Sequence, residues 1–439
     1  LGAEAGKGGT TSAPYSSGQN NTALGYQALT GFTTGQLNTV IGHTAGTAIT
    51  TANYNTFVGA WAGDAATASG YNTVVGFQAF SDAVADSSHT VAIGYQAGKA
   101  ITSGDGNIMI GAGAGNTTTD VDKAVIIGQD AAQGNMTSDA DATVAIGYQA
   151  SYALTSGANN LAIGYQALKT NTTGHSNIAI GHGVMDDTDA GSNSLDSDHN
   201  VFIGNGAGSG TWTDAKSEYN TVVGNNALAG ALEAAVYNVG LGYRAGQSLT
   251  SGDSSVIIGG IAGANITSGL RNVVIGYNAA TTLTTGDYNI YIGSDANASG
   301  ADVNDEILLA AGTGTLAGGG TETVRIGVDS DYITNDFGEN ATWTHSSDRR
   351  VKKNIEDNQL GLEFISKLKT RNFKKKAPSE YPEEFEQHNS DTTERKNPDR
   401  IHYGFVAQEV KEAMDSVGHS EFPVWKENRD GMQELGETE

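Results

Sequence analysis

The sequence contains no cysteine, few prolines and no long hydrophobic run. Of its 439 residues, none is Cys and only 5 are Pro. The absence of Cys excludes disulfides and thiolate metal sites, so packing or assembly must stabilise the fold. No run of about 18 apolar residues occurs, which argues against a membrane-spanning helix. Because the chain begins with Leu1 instead of Met, we expect it to be part of a longer polypeptide.

Basic residues are also scarce. The chain has 24 Lys and Arg against 49 Asp and Glu, a formal charge of −25. A nucleic-acid-binding protein needs a basic face, so this balance argues against a nucleic-acid partner. It suits a well-solvated, extended protein. The nine His are not grouped at metal-ligand spacing, and we predict no metal and no cofactor.

Glycine, in contrast, is abundant and periodic, with 60 residues in the chain. A phrase such as NTVIGHTAG, NTVVGFQAF or NVVIGYNAA recurs every 17 residues in most steps and every 18 to 23 in five. We number the positions of each repeat as slots relative to its anchor glycine. The anchors are Gly25, Gly42, Gly59, Gly76, Gly94, Gly111, Gly128, Gly147, Gly164, Gly181, Gly204, Gly224, Gly242, Gly259, Gly276 and Gly293, then Ala310 in the same slot, and Gly327.

Each repeat contains a short apolar strand before its anchor. Slots −3 and −1 hold β-branched or aliphatic residues, such as Val91 and Ile93, and share one face of the strand. Slot −2 is apolar as well, as in Phe57 and Val74. One face fills the interior of a coil, so the other must find another chain. Slot +3 is nearly always Ala, which permits close backbone approach.

These patterns predict a β-solenoid. A 17-residue unit is too short for two packed helices, and turn formers such as TTG and TSG separate the strands. About 18 coils, each adding about 4.8 Å, would stack to roughly 80 Å. The alternative is a disordered Gly-rich stalk, but a disordered chain does not keep an aliphatic pair in register through every repeat.

The repeat motif NxVxIGxxA resembles the head repeats of trimeric bacterial adhesins, over residues 20–330. The resemblance implies a β-roll in which three chains pack side by side, although the unit here is longer. It therefore implies a homotrimer, and a trimer would explain why the middle position, slot −2, is apolar instead of polar.

Two insertions are candidate binding loops, because insertions in a solenoid lie on one face. Residues 184–200 carry Asp186, Asp187, Asp189, Asp196 and Asp198. They suggest a Ca²⁺ site, but the Gly and terminal Glu of an EF-hand are missing, and a solvated loop is the alternative. The next insertion is expected to expose Trp212 and Tyr219, with Trp212 as a possible sugar-binding ledge.

Tyrosine recurs directly after the anchor glycine. Such a ladder could stack sugars, or it could be a repeat feature that packs between coils, and we favour the second interpretation. The tyrosines are Tyr26, Tyr95, Tyr148, Tyr165, Tyr243 and Tyr277.

Composition changes sharply after Gly327. Residues 347–439 hold 16 of the 24 basic residues and 4 of the 5 prolines. Helical patterns replace the repeat, in LGLEFISKLKT (360–370) and FVAQEVKEAM (405–414). We predict a connector at 1–19, a repeat domain at 20–330, a junction at 331–346 and a small α/β domain at 347–439.

The segment ATWTHSSDRRVKKNI, followed by YGFVAQEVKEAM, closely resembles the intramolecular chaperone domain of phage tail fibres and tailspikes, the S74 peptidase family. The resemblance implies a domain that trimerises, helps a β-structured fibre fold and then cuts itself off. Carried over, the catalytic residues are Ser347 and Lys352, and the scissile bond joins Ser346 to Ser347. Lys353 would be a surface neighbour, and Arg349 and Arg350 could contact the fibre. A charged linker, or a domain that is retained uncut, are the alternatives.

The chemistry is coherent in itself. A serine hydroxyl needs a base to take its proton, and a Lys can serve if burial lowers its pKa. A nucleophile adjacent to the scissile bond has a high effective concentration, so a single turnover needs little machinery.

The sequence thus predicts a mainly β, homotrimeric tail fibre of a virion that attaches to a host-surface receptor, either a glycan or an outer-surface protein. Other tail proteins would bind through the N-terminal part. A trimeric cell-surface adhesin is the alternative. A polysaccharide-degrading tailspike would need paired carboxylates in a groove, for which no local signature exists.

Overall fold

The structure, a computed structural model, contains two compact units, Leu1–Thr344 and His345–Glu439. It describes residues 2–9, 17–82, 87–188, 196–213, 215–312, 314–329, 331–337, 340–344, 361–383, 385, 390, 393, 401–418, 425–427 and 433–435, with the backbone alone at 340–344, 425–427 and 434.

The first unit is a β-solenoid with one short strand per coil. Seventeen strands precede the last anchor: β1 Thr22–Leu24, β2 Thr39–Ile41, β3 Thr56–Val58, β4 Thr73–Val75, β5 Val91–Ile93, β6 Ile108–Ile110, β7 Val125–Ile127, β8 Val144–Ile146, β9 Leu161–Ile163, β10 Ile178–Ile180, β11 Val201–Ile203, β12 Thr221–Val223, β13 Val239–Leu241, β14 Val256–Ile258, β15 Val273–Ile275, β16 Ile290–Ile292 and β17 Ile307–Ala311. A 3₁₀ turn lies at Ser138–Ala140.

Parallel pairing continues without a register shift from β1 to β18 (Thr323–Val328). Equivalent slots therefore lie above one another, as in the pairs Val91↔Ile108 and Ile93↔Ile110. The eighteen parallel strands span about 17 turns, so the predicted solenoid and its 17-residue period are confirmed. Two antiparallel strands, β19 Asp331–Asp336 and β20 Asn340–Thr344, then extend the sheet.

The interior of most coils is filled by the side chain of slot −2, the exceptions being Gly240 and the half-buried Arg325. Phe57, Met109, Phe202 and Tyr291 occupy this slot and are completely buried. The alanines of slot +3, such as Ala28 and Ala45, are buried as well. The implication that slot −2 faces another chain was therefore wrong. Its side chains fill the coil, and those of slots −3 and −1 point out of it, as the strand pattern of Val91–Ile93 shows.

The anchor glycine is required by backbone geometry. Gly164 has a φ of +138°, and a Cβ there would lie 2.1 Å from the carbonyl oxygen of Gly181 in the next coil. An L-residue at Gly164 would meet both the strained φ and the clash with the next coil. The closeness of successive anchors is what allows the coils to stack at the spacing of a β-sheet.

Slot −4 forms an internal ladder of asparagines that the sequence reasoning missed. The Nδ2 of Asn55 donates to the Oδ1 of Asn38 (3.1 Å) and to the carbonyl oxygen of Ser69 (2.9 Å), while Asn55 Oδ1 accepts the backbone N–H of Asn72 (2.9 Å). These asparagine side chains are at most 1 % exposed. Each amide thus links two coils and satisfies the polar groups buried in the turn.

The ladder ends at a buried carboxylate. Glu306 occupies slot −4 in its coil and is completely buried. Its Oε2 accepts from the Tyr291 hydroxyl (2.7 Å) and the Ser299 N–H (3.1 Å), and its Oε1 accepts from the Gly320 N–H (2.7 Å). Burial and the adjacent carboxylate raise the pKa of Tyr291 far above its ordinary value, so its hydroxyl keeps its proton. Glu306 therefore fastens the loop at 318–320 over the end of the solenoid.

The second unit is small and mixed. Its helices are α1 Leu362–Lys367 and α2 Ala407–Ser416, with a 3₁₀ turn at Pro378–Glu380. Strands β21 Arg371–Phe373 and β22 His402–Gly404 pair antiparallel, as do β23 Trp425–Glu427 and β24 Gln433–Leu435. Both predicted helices are confirmed. Among the described residues, no helix has the length and apolar character needed to span a bilayer.

Candidate functional site

The predicted cleavage residues lie in a segment that the structure does not describe. The last strand of the solenoid unit, β20, ends at Thr344, and the description resumes at residue 361. Ser346, Ser347 and Lys352 therefore lie outside the described residues, as do Arg349, Arg350 and Lys353. Their chemistry stays a prediction from sequence.

The described part of the second unit is organised by α1 and α2. Phe364 of α1 packs with Val410, Ala413 and Met414 of α2, and Leu368, Val417 and Leu435 lie against this cluster. These side chains recur on one side of α2 at helical spacing, so the helix buries a single apolar face. The cluster gives the domain a small core that brings β24 to α2.

An ion pair joins β21 to α2. The Nε of Arg371 donates to the Oε2 of Glu409 at 2.9 Å, and the Nη2 donates to Oε1 at 2.5 Å. The bidentate hydrogen bonds lower the pKa of Glu409, and the positive charge of Arg371 lowers it further. The same hydrogen bonds raise the pKa of Arg371. The pair is exposed to solvent, so its value lies in fixing the angle between helix and sheet more than in stability.

The motif GFVAQEV, which carried the resemblance, is explained by these contacts. Gly404 ends β22, and Ala407 begins α2 in a buried position. Glu409 then faces Arg371, while Val410 enters the core. The motif is thus a strand-to-helix connection in which each of these residues has a distinct structural task.

Several large apolar side chains of the second unit remain exposed. Leu362 is 83 % and Tyr403 is 77 % exposed, and Ile365, Ile401 and Phe405 are also exposed. Isolated small domains rarely leave so many apolar side chains in water. Such a surface can bind another apolar surface, which is what a chaperone or a trimerising domain requires.

In the described part of the Asp-rich insertion, the carboxylates have separate partners instead of converging on one point. Asp187 accepts from the Thr211 hydroxyl (2.6 Å), and Asp196 accepts from Thr173 (2.8 Å) and pairs with Lys216 (3.1 Å). Asp198 accepts the backbone N–H of His175, and burial raises the pKa of Asp186. Asp189 lies outside the described residues. Within the described ranges, no three potential ligands are grouped to hold a metal ion.

Trp212 is not a surface ledge, and the expectation that it is exposed was wrong. It is completely buried against Phe202, with ring centroids 5.7 Å apart, and its Nε1–H donates to the carbonyl oxygen of Gly208 (3.1 Å). The insertion is long enough to fold the indole back into the coil. Tyr219 is exposed, as expected.

Aromatic ladders run along the outside of the solenoid. In slot +1, Tyr148, Tyr165 and His182 stack at centroid distances of 5.2 and 4.8 Å. In slot −5, Tyr54 and Tyr71 stack in the same manner at 4.9 Å. The rings cover one another's faces and expose their edges, so the ladder favours packing between coils over sugar stacking.

Comparison with known proteins identifies the second unit. Residues 347–419 match the model of the family Peptidase_S74, described as chaperone of endosialidase. No curated protein and no solved structure matches the chain. The chain therefore combines a long β-solenoid with a C-terminal chaperone-of-endosialidase domain, the organisation of a tail fibre or tailspike that carries a C-terminal chaperone.

Proposed function

We propose that the chain is the rigid part of a homotrimeric bacteriophage tail fibre, which attaches to the host surface and is assembled by its C-terminal domain. The observation that supports this most directly is the order of the two units. A solenoid of about 17 turns with an uncovered apolar side is followed by residues that match a chaperone family.

Host attachment suits the shape and the surface of the solenoid. A stack of eighteen strands spans about 80 Å. It is stiff, because backbone hydrogen bonds join each coil to the coils above and below it. Its turns vary from coil to coil, which offers a glycan or an outer-surface protein many different loops to bind. In this proposal the protein belongs to the virion and is joined there to other tail proteins.

The solenoid has a folding problem that a C-terminal trimeriser would solve. Its coils are nearly alike, so three chains can align in several registers that differ by one coil. Slipped registers of this kind trap repeat proteins during folding. A domain that joins three C-termini first would set one register, from which the coils add in order.

We also propose that the domain releases itself by cutting the Ser346–Ser347 bond. Neutral Lys352 takes the proton of the Ser347 hydroxyl, and the oxygen attacks the carbonyl carbon of Ser346. The C–N bond breaks as the leaving amine is protonated, and water then hydrolyses the resulting ester. The S74 resemblance of SDRRVKKNI supports these roles.

Intact-mass analysis of freshly expressed protein tests the cleavage. The parent chain should separate into pieces of 346 and 93 residues, which together make the 439 of the sequence. Ser347→Ala and Lys352→Ala should each give one uncut chain. Lys353→Ala is the matched control, since it removes the neighbouring charge, and should be cut like the parent. An uncut parent chain would refute the cleavage and would favour an adhesin that retains the domain as a clamp.

A further inference from the structure

One side of the solenoid carries two continuous rows of uncharged, mostly aliphatic side chains. Slot −1 is Ile, Val or Leu in all eighteen repeats, and slot −3 is Val, Ile, Leu or Thr in all of them. We call these two rows the aliphatic stripe. In a chain in which 17 % of residues are charged, the complete exclusion of charge from two rows indicates that water does not cover them in the working protein.

The structure leaves the stripe facing outward. Slot −2 is turned into the coil, and the neighbouring slots are turned away from it. Val223 is 41 % and Ile292 is 39 % exposed, although each is paired with a strand on both sides. Pairing within the sheet therefore does not bury them, and a second surface is needed.

The stripe is large enough to be a stable interface. Eighteen strands at about 4.8 Å give a length of roughly 80 Å, and two rows of side chains are about 10 Å wide, a footprint of about 800 Å². That is about the area each partner contributes to a standard protein–protein interface. The aromatic ladders of slots −5 and +1 flank it and would add to the contact.

Charge indicates where copies of the chain can meet. Each chain carries a formal charge of −25, so two copies repel each other over most of their surface. The uncharged stripe is the place where that repulsion is smallest and the gain from burying apolar surface is largest. A partner must also present a straight row of uncharged side chains with the same strand-to-strand spacing along the whole stripe. Another copy of the same chain does so by symmetry.

We infer that the aliphatic stripe lies at the axis of the particle and is covered there by the stripes of two further copies of this chain. The inference rests on the proposed homotrimer, and it specifies which of the two apolar faces forms the interface. It places slots −3 and −1 between chains and leaves exposed turns such as those at Ala68 and Thr285 on the outside for other partners.

The absence of Cys from the chain permits a direct test by cross-linking. Ile292→Cys and Val75→Cys place a thiol on the stripe, whereas Thr285→Cys and Ala68→Cys place one on an exposed turn of a nearby coil. Each variant of the full chain is treated with a short bis-maleimide and separated under denaturing conditions. The stripe variants should give linked chains, and the turn variants should stay unlinked.

The outcomes distinguish this inference, which assigns the interface to the stripe, from the proposed homotrimer on which it rests. Light scattering on each variant first gives the number of chains per particle. Particles of three chains that link through Thr285→Cys or Ala68→Cys, and not through the stripe, would overturn the assignment of the face and leave the trimer intact. Single-chain particles of the parent would overturn both.

A charge on the stripe supplies a second readout. Ile292→Lys should cause loss of the three-chain particle, and Thr285→Lys should leave it unchanged. Hydrogen exchange of the strand amides shows whether the coils of the Lys variant remain folded. A three-chain particle that tolerates Ile292→Lys and Val75→Lys together would contradict the inference.

Discussion

The side chain of Asn55 lies directly on that of Asn38, one coil below. Both its Nδ2 (3.1 Å) and its backbone N–H (3.0 Å) donate to the same oxygen, Oδ1 of Asn38. The same relation recurs between Asn220 and Asn200, and between Asn289 and Asn272. The solenoid thus has a partly exposed, uncharged stripe on its outside and runs of buried, hydrogen-bonded asparagine side chains inside.

Removing one amide from the ladder should destabilise the coils on both sides. Asn55→Ala leaves the backbone N–H of Asn72 and the carbonyl oxygen of Ser69 without their buried partner, at a cost of about 2–3 kcal/mol. Hydrogen exchange should therefore accelerate at strands β3 and β4. Asn265→Ala, which removes an exposed hydrogen bond to Thr281, is the control and should change little. Equal effects of the two variants would show that the ladder is not what joins the coils.

Alanine substitution at two adjacent glycines should have very different effects on the stability of the fold. Gly259 has a φ of +132°, and a Cβ on it would lie 2.4 Å from the carbonyl oxygen of Gly276. At Gly260 a Cβ would meet only the Tyr277 ring, at 3.4 Å. Gly259→Ala should lower stability by about 3 kcal/mol or more, and Gly260→Ala should be tolerated. Thermal unfolding measures both, and a tolerated Gly259→Ala would contradict the role of the anchor.

The burial of Trp212 predicts a large stability effect. Trp212→Ala opens a cavity beside Phe202 and should cost about 3–5 kcal/mol, seen as faster exchange in the coil around β11. Tyr219→Ala, at an exposed ring, should cost far less. If Trp212 were instead a surface ledge for sugars, its removal would leave stability unchanged and would weaken glycan binding.

The pH dependence of stability should include a contribution from Asp64. Burial raises the pKa of Asp64 to about 6, above the ordinary value of 3.8. Between these values the folded chain binds more protons than the unfolded chain, so this group makes stability fall as pH rises from about 4 to 6 and adds no slope above that range. Asp64→Asn should remove that slope and make the protein more stable than the parent at pH 7. Identical unfolding profiles of parent and variant from pH 4 to 7 would refute this.

The sequence was sufficient to predict the period, the strands and the C-terminal domain, because each depends on a pattern that repeats or on a specific motif. It could not show which face of Val91–Ile93 is buried, since both faces are apolar and only the curvature of the coil decides. Trp212 was misjudged because an insertion can fold inward as readily as outward. The asparagines of slot −4 were visible in NTVIG and NTVVG, and a polar residue in a fixed slot beside a buried strand is the signal that could have revealed the ladder.

The number of chains in the particle, measured with and without the C-terminal domain, tests the account most directly. Native mass spectrometry of protein expressed from residues 1–439 should find the solenoid as three chains. The same solenoid expressed as residues 1–346 should fail to form that particle and should appear as single chains or aggregates. Formation of the same three-chain particle, in the same yield, from 1–346 alone would contradict a chaperone role for residues 347–439. Single chains from both would contradict the trimer itself.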